Sequence, residues 1–166
     1  MKVPNCIFPR MNTKKNLLTM VCLMLAMVCQ AQKQLFNEGW LFHYGDGDMS
    51  RMGALQGWEQ VSLPHDWSMH MPFSEKNASG NDGGYLPTGT GWYKKTFSID
   101  DPHLPDPDSD EHQMGLSSRY ELYFEGVYMN STVYVNGDSV GGHPYGYSSF
   151  FCDITDAVRN GENTVA

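Results

Sequence analysis

Cysteine is scarce where it would matter. Of four in the chain, Cys6, Cys22 and Cys29 precede residue 32, and only Cys152 lies beyond. A domain beginning at residue 32 therefore has no internal disulfide and must be held by its core or by neighbours. Basic residues are also few, 11 Lys and Arg against 19 Asp and Glu, for a net charge of −8. Nucleic acid and anionic membrane surfaces recruit Lys and Arg, so neither is expected as a partner. No stretch carries a sustained 3.6-residue apolar period, which argues against long helices. Gly-x-Ser-x-Gly, a phosphate-binding glycine loop and Cys/His metal spacing are all missing, and no cofactor is expected.

The first 31 residues stand apart. Lys14 and Lys15 precede an apolar run, Leu17 to Val28, and Cys29-Gln30-Ala31 puts small residues at −3 and −1. This is the pattern of a secretory signal peptide cleaved after Ala31, with the mature domain at 32–166. The apolar run is too short for a comfortable transmembrane anchor. Met11 is an alternative start, and Cys29 an alternative lipidation site that bulky Val28 disfavours. Removing residues 1–31 takes away four basic residues and no acidic one, so the net charge becomes −12. The expected location is periplasmic or extracellular.

What is present beyond residue 32 is strand-like. Tyr120, Leu122 and Phe124 alternate with Arg119, Glu121, Tyr123 and Glu125, the period-2 signature of a half-buried strand. Ser131–Val135 is β-branched and aromatic, and Asn136-Gly137 before Asp138–Gly142 is a hairpin signal, because both turn residues need positive φ. Further strands are expected at 35–44, 58–63, 91–99 and 149–154, and from Asn163 onward. Lys95 falls on the apolar face of its strand and should lie at an edge, snorkel, or pair with a carboxylate. Thr155–Gly161 reads as one helical turn, capped by Thr155 and closed by Gly161. The Gly-rich span 68–91 and the acidic, Pro-rich span 100–115 read as loops. The fold class is all-β, an antiparallel sandwich.

Few residues single themselves out for chemistry. Asn37-Glu38 falls in the first strand, and a catalytic role there is a coincidental match. Cys152, between Phe151 and Asp153, reads as a small buried hydrophobe. The acids of 100–115 lack a calcium-loop spacing. His65 and Asp66, in Pro64-His65-Asp66-Trp67, are the candidate substrate-binding residues at a sheet rim, the plainer role for Asp66 being a turn cap. The aromatic residues suit a β core and also suit stacking on sugar faces.

Eight segments together resemble the N-terminal sugar-binding domain of glycoside hydrolase family 2, with β-galactosidase-type members nearest in form. They are Asn37-x-Gly39-Trp40, Trp58-x-x-Val61-x-Leu63-Pro64-His65-Asp66-Trp67, Gly91-Trp92-Tyr93-Lys94-Lys95-x-Phe97, Phe124-Glu125-Gly126-Val127, Val133-Tyr134-Val135-Asn136-Gly137, Val140-Gly141-x-His143, Gly146-Tyr147-x-x-Phe150 and Asp153-Ile154-Thr155. The resemblance implies a jelly-roll sandwich, incomplete at its C-terminal side, that precedes an immunoglobulin-like domain and a TIM barrel. It implies a retaining reaction whose catalytic glutamates lie on the barrel, so this chain alone should be inactive, with no catalytic residue of its own. The expected partners are a β-galactoside-like glycan and the missing catalytic domains. A stand-alone carbohydrate-binding module and a non-catalytic surface domain are the alternatives. Two departures, His143-Pro-Tyr-Gly-Tyr and the long acidic loop at 100–115, leave substrate preference open.

Overall fold

The computed structural model describes residues 32–47, 49, 52, 55–104 and 118–166. The expected signal peptide, Cys29, and most of the acidic loop lie outside the described residues. Met1–Phe36 forms a unit separate from Asn37–Ala166, and its described part, 32–36, has no regular structure. All that follows concerns Asn37–Ala166.

Among the described residues, this unit has eight strands. They are β1 (Trp40–Tyr44), β2 (Glu59–Val61), β3 (Gly91–Ile99), β4 (Glu121–Phe124), β5 (Ser131–Val135), β6 (Asp138–His143), β7 (Phe150–Asp153) and β8 (Gly161–Val165). Six form one sheet in the order β2-β1-β3-β8-β5-β6, and β4 pairs with β7 in a second; every pairing is antiparallel. The second sheet lies against β6. A Cβ added to Gly141 would stand 2.9 Å from Cys152 Sγ, and the rings of His143 and Phe150 stack at 4.9 Å. Only a side chain of hydrogen fits between the layers at Gly141. This is the antiparallel sandwich expected from the sequence.

The core follows from strand alternation. Trp40 and Phe42 of β1, Val133 and Val135 of β5, Phe150 and Cys152 of β7, and Val165 of β8 are buried, joined by Val61, Ile154 and Val158. Tyr44, the next residue in that alternation, lies at the strand end and is exposed. The hairpin β5–β6 turns at Asn136 and Gly137 with φ of +53° and +100°, the two positive values its sequence demands.

One local expectation is met in one of its three forms, and another changes. Lys95 is on an inner strand, flanked by β1 and β8, and its ammonium snorkels to donate to the Glu38 carbonyl at 2.5 Å. Burial lowers its pKa, while the Glu38 charge acts the other way. The 155–161 segment is a turn rather than a capped helix. Asp153 caps it, accepting from the Thr155 amide at 3.0 Å and hydroxyl at 2.7 Å. Thr155 instead accepts from the Tyr120 amide at 3.0 Å, tying β4 to the turn. Gly161 opens β8 in place of closing a helix. A carboxylate can satisfy the turn's amide donors and the hydroxyl at once, which a threonine cannot.

Asp101 is a buried carboxylate near the end of β3. It accepts from the His103 amide at 2.9 Å and the Tyr120 hydroxyl at 2.8 Å. These bonds, the His103 amide foremost, hold its pKa below the ordinary carboxylate value. Its stabilising contribution is therefore present at neutral pH and lost as acidity drives a proton onto it. We expect the urea midpoint to fall between pH 7 and pH 3. Asp101→Asn should lower the midpoint at pH 7 and flatten that fall.

Candidate functional site

Pairing registers decide where the loops gather. Gly91 of β3 is opposite Tyr44 of β1, Lys95 is opposite Val165, Val165 is opposite Val135, and Ser131 is opposite His143 of β6. β3 and β5 thus run parallel, and the start of each lies at the sheet end where β1 and β6 finish. The connections after β1, before β3, before β5 and after β6 all emerge there. Loops on a rigid scaffold are where binding residues concentrate.

His65 and Asp66 border this end from the side of β1. After β2 the chain turns back, bonded through the Leu63 amide to the Asn37 carbonyl at 2.8 Å. His65 packs edge-on to Phe42 at 5.0 Å, and its Nδ1 is 2.9 Å from the Tyr93 hydroxyl. Burial, with the Asp66 charge as a second cause, pushes the Tyr93 hydroxyl up to about 12, so it stays protonated at neutral pH. Asp66 begins a 3₁₀ turn, Trp67–His70, and accepts from Ser68 N at 3.0 Å and Ser68 Oγ at 2.7 Å. The hydroxyl bond leads the causes that lower its pKa, so the carboxylate is ionised. Trp67 stacks on Phe42 at 6.3 Å and lies against Tyr44 at 4.8 Å. The capping role of Asp66 and the packing role of Trp67 are both present. The corner carries an imidazole and a carboxylate suited to bonding hydroxyl groups.

A second group at this end was not singled out by the sequence. Tyr128, ahead of β5, and Tyr145 and Tyr147, after β6, are exposed. Tyr128 and Tyr147 meet edge-to-face at 5.7 Å, as do Tyr145 and Tyr147 at 5.9 Å. The signal available was the His143-Pro-Tyr-Gly-Tyr run, already noted as a departure, which sets Tyr145 beside Tyr147. On the opposite side of the hairpin, a cleft of about 360 Å³ is lined by Asp138, Asp153 and Asp156 with Ser139, Val140 and Ala157. Asp153 there is already engaged in capping. Among the described residues no three His, Cys, Asp or Glu side chains converge as metal ligands.

The family model for "Glycosyl hydrolases family 2, sugar binding domain" matches residues 46–166. The chain belongs to glycoside hydrolase family 2. The chain is 39% identical over 146 residues to the β-galactosidase BoGH2A of Bacteroides ovatus, covering 87% of this chain and 16% of that protein. A β-glucuronidase of Bacteroides fragilis is 29% identical over 155 residues, covering 90% of this chain and 18% of its own length. Among solved structures, a family 2 member from Bacteroides cellulosilyticus superposes with a TM-score of 0.65 at 38% identity, covering 80% of this chain and 17% of that one. The chain thus spans about a sixth of the length of these relatives.

Proposed function

We propose that this chain is the N-terminal sugar-binding part of an exported family 2 glycoside hydrolase acting on β-galactosides. Hydrolysis is carried by glutamates on a barrel outside residues 1–166. The observation that carries the proposal is the match of residues 46–166 to the family's sugar-binding domain, together with the identity to the Bacteroides ovatus β-galactosidase. Export rests on the basic residues, apolar run and Ala31 of the first segment.

In this reading the expressed chain turns over neither a chromogenic β-galactoside nor a β-glucuronide, and measurable hydrolysis would overturn it. Sequencing the gene past the codon for Ala166 gives a second test. A continuing frame that encodes a barrel with two strand-end glutamates supports the proposal, and a stop codon directly after Ala166 contradicts it.

His65 and Asp66 form one polar subsite, at the β1 corner, of a site for an extended glycan in this proposal. Asp66→Asn keeps a capping oxygen for Ser68 and removes the charge. It should weaken galactoside binding roughly tenfold, the worth of a charge-assisted bond, while moving the melting temperature little. Unchanged affinity in a normally folded variant would remove Asp66 from the site.

A further inference from the structure

We propose that Tyr128, Tyr145 and Tyr147 form a preorganised aromatic platform that binds a neutral pyranoside in preference to a uronic acid. The inference rests on the sugar-binding reading above and names where, and with what selectivity, the sugar is held.

Three observations carry it. The first is exposure: the three residues are 73%, 61% and 79% exposed, on two neighbouring loops at one end of the sheet. They are not core residues. Contiguous exposed aromatic surface marks a binding face.

The second is rigidity. The Asn130 amide donates to the Pro144 carbonyl at 3.3 Å, joining the two loops. His143 Nε2 and Ser148 Oγ lie 2.8 Å apart, bracing the second loop across its base. Gly146 sits so close to Tyr128 that a Cβ there would stand 3.0 Å from the Tyr128 Cα and closer still to its ring. The Tyr128 backbone and ring are thereby seated on the second loop. A platform fixed before binding loses little entropy when a ligand arrives.

The third is chemistry. Tyrosine rings offer flat faces to the C–H groups of a pyranose, and their hydroxyls can bond its hydroxyls. Segments 125–130 and 143–149 contain one glutamate, one histidine, and no lysine or arginine. They hold no Lys or Arg cation to compensate a carboxylate, and the net charge of −8 repels one. A purely apolar protein surface would be served better by leucine or phenylalanine than by three phenols.

The test uses the full chain and a matched ligand pair, methyl β-D-galactopyranoside and methyl β-D-glucuronide, followed by ligand-observed NMR titration. The unmodified chain should bind the galactoside more tightly than the glucuronide. Tyr147→Ala and Tyr145→Ala should each weaken galactoside binding by roughly five- to tenfold, the range expected for losing one aromatic contact. Tyr147→Phe should restore most of the affinity. Tyr123→Ala, which alters an exposed ring on β4, should leave it unchanged. Melting curves confirm that each variant is folded. Full galactoside affinity in folded Tyr145 and Tyr147 variants would overturn the platform and leave the sugar-binding reading standing. Tighter glucuronide binding would overturn the selectivity. If the unmodified chain binds neither sugar, the platform falls, and the family reading is then judged by the gene-frame test alone. Concentration-dependent self-association lost in Tyr147→Ala, with sugar binding intact, would reassign the patch to contact between copies.

Discussion

Replacing Asn163 with alanine is expected to destabilise the domain by about 4 kcal/mol, because several buried polar groups lose their partner at once. Asn163 is fully buried on β8. Its carbonyl oxygen accepts from Arg159 N at 2.9 Å and Asn136 Nδ2 at 2.8 Å. Its amide donates to the carbonyls of Arg159 at 2.8 Å and Gly161 at 3.0 Å. Asn136 completes the knot by accepting from Thr164 N at 2.9 Å and donating to the Ala157 carbonyl at 2.9 Å. The Arg159 amide and carbonyl and the Gly161 carbonyl would lose their bonds to Asn163, Asn136 Nδ2 would keep only the Ala157 carbonyl, and the vacated volume adds a cavity. A drop in melting temperature on the order of 10 °C or more follows for a domain of this size. Asn163→Asp separates the two causes. It keeps the volume but sets an oxygen against two carbonyls, so it should be at least as damaging. A mild effect from Asn163→Asp would show that shape, not bonding, holds this site.

Gly142→Ala is expected to cost roughly 3 kcal/mol, the upper part of the range for overpacking a tight site. Gly142 is opposite Thr132 in the β5–β6 ladder. A Cβ added there would collide with the Ser131 carbonyl oxygen and come within 3.2 Å of the Thr132 Cα. Both obstacles are backbone, so the strands themselves must separate. Gly137→Ala provides the contrast. Its φ is +100° and the space around it is open, so it should cost only about 1 kcal/mol, from backbone strain alone. Urea midpoints of the two variants measure the difference. Equal losses would mean that the Gly142 clash relaxes cheaply.

The hairpin was legible in advance because its information is local. Asn136-Gly137 specifies a turn whatever surrounds it, and β-branched neighbours specify the strands. The second role of Asn136 was not legible. It depends on Asn163, 27 positions away, and no period or propensity links the two. Lys95 shows the same limit: its strand was predicted residue for residue, but not that the strand lies inside the sheet. Its ammonium found a backbone carbonyl, which leaves no trace in sequence. Asp153 displaced Thr155 as the cap because both are good capping residues and only the chain path chooses. At the site, Asp66 stood out because the dipeptide His65-Asp66 is chemically dense. The tyrosines did not, since aromatic residues in a β-rich chain read first as core. Their exposure is a property of where β5 and β6 end.

The position of β8 has a consequence for how the molecule is made. On one side of it stand β2, β1 and β3, on the other β5 and β6, and among the described residues no pairing other than those of β8 joins the two groups. A ribosome releases β8 after the other seven described strands. Until then the nascent sheet is two separate ribbons, each with a bare inner edge. Such edges are templates for wrong pairing. Assembly of this six-stranded sheet therefore waits for five residues, Gly161–Val165, that follow its other strands and join its two parts from the middle.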